Sequence, residues 1–248
     1  MTSALTEHLV SETRVRSDLG ASDVAQMWEI FRAYYGGVSH DRFLSDLSHK
    51  THVILCRDDR GQIGGFSTIE VCEDIFHGRR IRVLFSGDTV VRVDFWGRND
   101  LAFSWIRFTG SIKAQHPDQP LYWLLIVKGH RTYRYLSTFG RRYYPAPGWP
   151  TPSEIRSLME FLAQARFGDA YQPSDGIVRF ATTHGYLKAP WSKIPDSART
   201  RKETAFFLEK NPRYDRGDEL VCLCEVSREN FRPMARRVFD NVCGDHHG

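Results

Sequence analysis

The stretch that most constrains this chain runs from Arg79 to Tyr144. It opens on a strand-like run at 81–91, Ile-Arg-Val-Leu-Phe-Ser-Gly-Asp-Thr-Val-Val, followed by a turn-like segment at 94–100 and an apolar helical run from Leu101 to about Ala114. Pro117 and Pro120 break that run. The most apolar strand of the protein follows at 121–127, and an aromatic, basic helix closes the unit from about Arg131 to Phe139. Strand, loop, helix, strand, helix in this order is a βαβα unit. Its single right-handed crossover predicts that strands 81–91 and 121–127 are parallel neighbours whose C-terminal ends diverge over the loop from Trp96 to Asp100.

The rest of the chain can be placed around that unit. Residues 1–12 are polar and read as loose. A short strand is expected at 12–18, then a helix at 24–35 capped by Ala21-Ser22-Asp23, with Val24, Met27, Trp28, Phe31 and Tyr35 on one stripe and Gly36-Gly37 as its stop. A second helix is expected at 39–49, and antiparallel strands at 51–57 and 62–71. Pro145 to Pro152, reading Pro-Ala-Pro-Gly-Trp-Pro-Thr-Pro, suits neither helix nor interior strand and marks a boundary. Beyond it come a helix at 154–167 and an irregular stretch at 168–203 with one apolar run at 177–180. Two strand-like runs, 204–209 and 219–226, read as a hairpin, and a last helix is expected at 228–242. The fold class is α/β (α+β): a mixed central sheet flanked by helices, in a single domain over 1–248. Its core is 12–145 plus 204–227, with an insertion at 146–203.

Composition excludes several classes. The apolar fraction of 41% and charged fraction of 26% are those of an ordinary globular protein. No apolar run approaches the ~20 residues of a membrane helix, and the first residues lack a secretory pattern, so a cytoplasmic protein with no membrane partner is expected. Five cysteines do not make a disulfide framework; Cys222 and Cys224 share a strand face with no matching Cys or His pair, so no metal site is expected. His246 and His247 stand near the C-terminus and carry no argument. A net charge of +4 is too small to imply a nucleic-acid partner. The densest basic and aromatic cluster, Arg131, Arg134, Arg141 and Arg142 among Tyr133, Tyr135, Tyr143 and Tyr144, reads as a solvated face or as a place for phosphates.

The order β, α, α, β, β, β, α, β, α, insertion, β-hairpin resembles the Gcn5-related N-acetyltransferase (GNAT) fold over roughly 12–145 and 204–227. In that family the fourth strand feeds a glycine-containing loop and helix that hold the pyrophosphate of acyl-CoA. Here the loop reads Val91-Arg92-Val93-Asp94-Phe95-Trp96-Gly97-Arg98-Asn99-Asp100. Gly97 matches the first glycine of the pattern, and Asn99 stands where the second belongs. The resemblance implies acetyl-CoA or another acyl-CoA as co-substrate, bound by Val90, Val91, Trp96, Gly97, Arg98 and Asn99. Read without the resemblance, the loop is a strand-to-helix turn with Trp96 as a core anchor.

Ser86-Gly87-Asp88 interrupts an apolar strand, and a glycine there marks a bulge or a close approach of backbone. In GNAT proteins the equivalent strand is bulged and splays from its parallel neighbour. A bulge at Gly87 is expected to leave Ser86 and Asp88 on one side of the strand, with Leu84 and Val90. Asp88 is the candidate general base, Ser86 its companion, and the alternative for Asp88 is an ion pair with an arginine such as Arg82 or Arg92. The resemblance also implies a general-acid tyrosine on the following helix, with Tyr135 the nearest match and Tyr133 the alternative. The function implied is transfer of an acyl group from a CoA or carrier-bound thioester to an amine of a small molecule. Two others stay open: a biosynthetic or tailoring enzyme of this fold that does not use CoA, and a non-catalytic binding or partner-subunit protein.

Overall fold

The computed structural model describes residues 9–243. Of the expected loose start at 1–12, residues 1–8 lie outside the described residues, as do His246 and His247, whereas residues 10–12 are not loose and open the first strand. In chain order the elements are β1 (Val10–Val15), α1 (Ala21–Tyr34), β2 (Tyr35–Gly36), α2 (His40–Ser48), β3 (His52–Arg57), β4 (Ile63–Phe76), β5 (Arg79–Val91), α3 (Asp100–Gln115), β6 (Leu121–Val127), α4 (His130–Phe139), α5 (Ser153–Phe167), β7 (Tyr171–Gln172), β8 (Ile177–Val178), β9 (Tyr186–Leu187), α6 (Asp196–Arg199), α7 (Lys202–Lys210), β10 (Glu219–Glu225) and α8 (Pro233–Cys243).

Eight strands form one mixed sheet in the order β1-β3-β4-β5-β6-β10-β8-β7, and β2 pairs β9 apart from it. β5 and β6 are parallel, in register from Arg82↔Leu121 to Ser86↔Leu125. The other pairs of the sheet are antiparallel. Four antiparallel strands, a helical crossover into a parallel fifth, and an antiparallel strand beyond it make a GNAT-like architecture, as the order of elements implied.

Local chemistry sets the boundaries. Ser39 caps α2, its hydroxyl accepting from the Arg42 amide. Asp23 does not cap α1, which starts after Gly20; its carboxylate turns inward and takes the guanidinium of Arg57 at 2.8 Å. β4 and β5 run further than expected and close through His77 (φ 49°) and Gly78 (φ 77°), the two left-handed residues a tight hairpin requires. β6 is apolar on both faces because both are covered: Leu121, Trp123 and Leu125 pack with α3, α4 and α8, and Leu124 packs with α5. α1 and α2 cover the β3–β5 part of that second face.

The expected hairpin of 204–209 with 219–226 is corrected. Residues 204–209 lie inside helix α7, with Thr204 and Phe207 wholly buried three residues apart and charged residues at both ends. The run of five apolar and small residues at 204–208 fits either period. The ring of Tyr133 on α4 packs against those of Phe206 and Phe207, which favours the helix. The place beside β10 goes to β8, so the 146–203 segment is not merely irregular: it adds two strands to the main sheet.

Candidate active site

β5 keeps its antiparallel partner β4 as far as Val91, and β6 keeps β10 as far as Val127, yet the β5–β6 ladder stops at Ser86 and Leu125. Beyond that rung the parallel strands part. The cause is a bulge in β5: Ile69 faces Ser86 and Ser67 faces Thr89, so Thr68 alone stands opposite Gly87 and Asp88. Gly87 is required by proximity. A Cβ there would lie 2.5 Å from the Thr68 hydroxyl and 2.7 Å from Lys50 Cε.

The expected facing of this triplet is corrected by the bulge itself. The extra residue breaks the two-residue alternation, so Ser86 faces α3 while Asp88 lies on the opposite face with Phe85 and Val90.

Three clefts meet at the parting. One lies between β5, β6 and α3, under Leu101, Ala102 and Trp105, and reaches Tyr135 on α4. A second opens on the other face around Asp88, Lys50, Lys128 and Glu219, walled by Phe167, Phe180 and His184. A third lies at the strand ends, between Val90, Val91, Trp96, Gly97 and Arg98 on one side and His130, Arg131 and Trp191 on the other. Thr89 and Thr132 line all three. Of the sequence-derived cofactor residues, Asn99 alone is not in the third cleft.

Asp88 makes no hydrogen bond or ion pair among the described residues. Burial pushes its carboxyl up to about 6; Lys128 and Lys50 oppose the rise, and Asp46 and Glu219 support it. The arginine alternative does not hold. Arg82 is taken by Glu73 at 3.3 Å and Arg92 by Asp94 at 2.9 Å. Ser86 is already committed, its hydroxyl accepting from Trp123 Nε1 at 2.8 Å.

The two tyrosines separate cleanly. Tyr133 is wholly buried and donates to the Pro145 carbonyl at 2.8 Å. Tyr135 borders the first and third clefts, its hydroxyl has no hydrogen-bond partner among the described residues, and burial raises its pKa, which keeps it protonated. The basic and aromatic cluster does not form one face: Tyr133 and Tyr143 are core, Arg131 lies over the Trp96 ring at 4.2 Å, and Arg142 over Trp149. Burial and the neighbouring arginines drive His130 down to about 4, leaving a neutral imidazole.

In the loop before α3, Arg92 and Arg98 each have a carboxylate beside them. Gly97 takes φ 88° with open space around it, so it serves the turn rather than a close approach. Arg98 pairs with Asp100 at 2.8 Å, and Asp100 belongs to the first turn of α3, which adds a negative charge near the positive end of that helix. Trp96 is not a core anchor. It is 38% exposed, and its ring meets Trp191 from the 146–203 segment at 5.2 Å, across the mouth of the cleft. The slot between α3 and the parted strands, by contrast, is lined mainly by apolar side chains, among them Leu101, Trp105, Leu125 and Phe139.

Lys50, Lys128, Glu219, Thr89, Thr132 and Trp191 were not singled out from the sequence. Two of them left a trace: in a chain with 27 Arg and 7 Lys, Lys128 directly follows the most apolar strand and Lys50 directly precedes another. Among the described residues no group of His, Cys, Asp or Glu is placed to hold a metal, and no helix is long and apolar enough to cross a membrane.

No protein-family model and no curated protein matches the chain. Among solved structures, it is similar to a probable N-acyltransferase from Enterococcus faecalis V583 (13% identity, TM-score 0.40, 64% of this chain and 44% of that one). It is also similar to a GNAT family N-acetyltransferase from Escherichia coli, solved in complex with CoA (15%, TM-score 0.38, 53% and 69%), and to an acyl-CoA N-acyltransferase from Pseudomonas aeruginosa (16%, TM-score 0.39, 53% and 88%). The match therefore spans less than half the length of the Enterococcus protein. The fold assignment rests on the strand order and parting of this chain itself.

Proposed function

We propose that this protein is an N-acyltransferase that moves an acyl group from a thioester to the amine of a small molecule. The observation that carries this reading is the meeting of the clefts on both faces of the sheet at the parting of β5 and β6. A thioester arm fits the apolar slot beside α3, and an amine fits the polar cleft beside Asp88. Asp88 takes a proton from the bound ammonium. The free amine then attacks the thioester carbon; the C–N bond forms, the C–S bond breaks, Tyr135 protonates the leaving thiolate, and the second proton that the nitrogen sheds on becoming an amide restores the phenol. Backbone groups of β5 beyond Ser86 and of β6 beyond Leu125 that face one another are spared from the sheet ladder, and so are free to receive the oxyanion. This reading treats 146–203 as an insertion within one functional unit, because Phe180 and His184 help wall the acceptor cleft.

The paired arginines before α3 favour a donor whose nucleotide contributes little: a pantetheine arm, free or on a carrier protein, in preference to one held by its diphosphate. The test is release of free thiol from acetyl-CoA, longer acyl-CoA and acyl-pantetheine in the presence of a panel of amines. Thiol release that needs an amine and disappears in Asp88→Asn supports the reading. Absence of release from every thioester overturns it.

A further inference from the structure

The cleft beside Asp88 holds two lysines and three carboxylates, and their partnerships are unequal. Lys128 is bound to Glu219 at 3.2 Å. Asp46 faces Arg42 at 4.0 Å on the surface. The ammonium of Lys50 and the carboxylate of Asp88 remain, and neither forms a hydrogen bond or ion pair among the described residues.

Both border the same cleft and feel one another electrostatically, yet they do not join. Lys50 is held in place by packing: its ammonium lies over the Phe85 ring at 4.5 Å, and its chain fills the space that the missing Gly87 side chain leaves. Burial lowers its pKa, and Glu70, Asp88 and Asp46 oppose the fall. An unpaired cation and an unpaired anion held apart in one partly desolvated cleft are each costly, and a single ligand carrying both opposite charges relieves both. The outer wall, Phe167, Phe180 and a neutral His184 stacked on Phe180, offers no further charge.

We propose that the acceptor is a free amino acid with an apolar side chain, its carboxylate on Lys50, its amino group on Asp88, and its side chain against Phe167 and Phe180. This deepens the acyl-transfer reading and rests on it for the role of Asp88. The product is an N-acyl amino acid: the ammonium group loses one proton to Asp88 and a second that leaves, by way of Tyr135, on the released thiol, the acyl group passes from sulfur to nitrogen, and the carboxylate is unchanged.

Binding tests the acceptor separately from turnover. Calorimetric titration of the unmodified protein with L-leucine, L-phenylalanine, leucinamide and 4-methylpentanoate reports both charges. Leucine or phenylalanine is expected to bind at least tenfold more tightly than leucinamide, which lacks the carboxylate, and than 4-methylpentanoate, which lacks the amine. Lys50→Met is expected to bring leucine and leucinamide to within about threefold of each other. Equal binding of leucine and leucinamide by the unmodified protein overturns the proposal, as does failure of both amino acids to bind. That comparison needs no variant, so a poorly folded Lys50→Met does not rescue it. Amino-acid binding without thiol release from any thioester overturns acyl transfer and leaves the amino-acid site standing. Thiol release with leucinamide as fast as with leucine does the reverse.

Discussion

The indole of Trp123 donates to the hydroxyl of Ser86 over 2.8 Å, beside the last rung of the β5–β6 ladder. Trp123 is almost wholly buried against the ring of Trp105, so this bond pins the end of one parallel strand to the other where they begin to part. Ser86 therefore belongs to the scaffold of the site. Ser86→Ala is expected to leave a buried N–H without its partner, costing about 1–3 kcal/mol, read as a fall of several degrees in Tm. Thiol release per folded molecule should stay within about twofold of the unmodified protein. A hundredfold loss at unchanged Tm would return Ser86 to the chemistry.

Asp88→Asn separates chemistry from stability through pH. Folding raises this carboxyl from 3.8 to about 6, so the unfolded chain gives up its proton first and stability falls as pH rises through that window. Asparagine removes the effect. The variant is expected to match the unmodified protein near pH 4 and to exceed it above pH 6, by about 1–2 kcal/mol after allowance for its partial exposure, or a few degrees of Tm. Thiol release by the unmodified enzyme should climb with pH through about 6 as Asp88 ionises. The variant should lose about 10²-fold or more at pH 7.5. Lower stability above pH 6 in the variant would mean that Asp88 has a partner after all.

Legibility in the sequence followed how local the determining physics is. The crossover, the parallel pair and the bulge at Gly87 could all be read, because a helix between two apolar strands and a glycine within a strand act on their own neighbours. The facing of Asp88 could not, since it depends on which residue is left unpaired opposite Thr68, a fact of register between two strands. Residues 204–209 misled because a short apolar run fits both periods until Tyr133 is beside it. Lys50 was hidden for a similar reason: 37 positions separate it from Gly87, and only the folded sheet brings its side chain over the bulge.

Two glycines with different reasons give a paired test. Gly87 lacks room for a side chain, so Gly87→Ala must move Thr68 or Lys50 and is expected to cost about 1–3 kcal/mol and to weaken amino-acid binding. Gly97 has room but takes φ 88°. Gly97→Ala pays only for a left-handed backbone, about 1–2 kcal/mol, with amino-acid binding unchanged. Calorimetry and thermal melts on both variants check this. Equal loss of binding in the two would show that the acceptor does not lie beside the bulge.

The tyrosines of α4 offer the sharpest contrast, because each loses the same atom when changed to phenylalanine. Tyr133 donates to the Pro145 carbonyl from a wholly buried position. Tyr133→Phe leaves that carbonyl short of a donor and is expected to cost about 1–3 kcal/mol without altering turnover per folded molecule. Tyr135 spends its hydroxyl on nothing among the described residues and borders the slot proposed for the thioester. Tyr135→Phe should leave Tm within a degree or two and lower thiol release by about 10²-fold. The loss should shrink with donors whose leaving thiol is more acidic, since such a thiolate departs with less need of a proton. An aryl thioester that restores most of the rate in Tyr135→Phe, and none in Asp88→Asn, would assign acid and base to the two sides of the sheet. A uniform loss across all donors would make Tyr135 a wall of the slot rather than its acid.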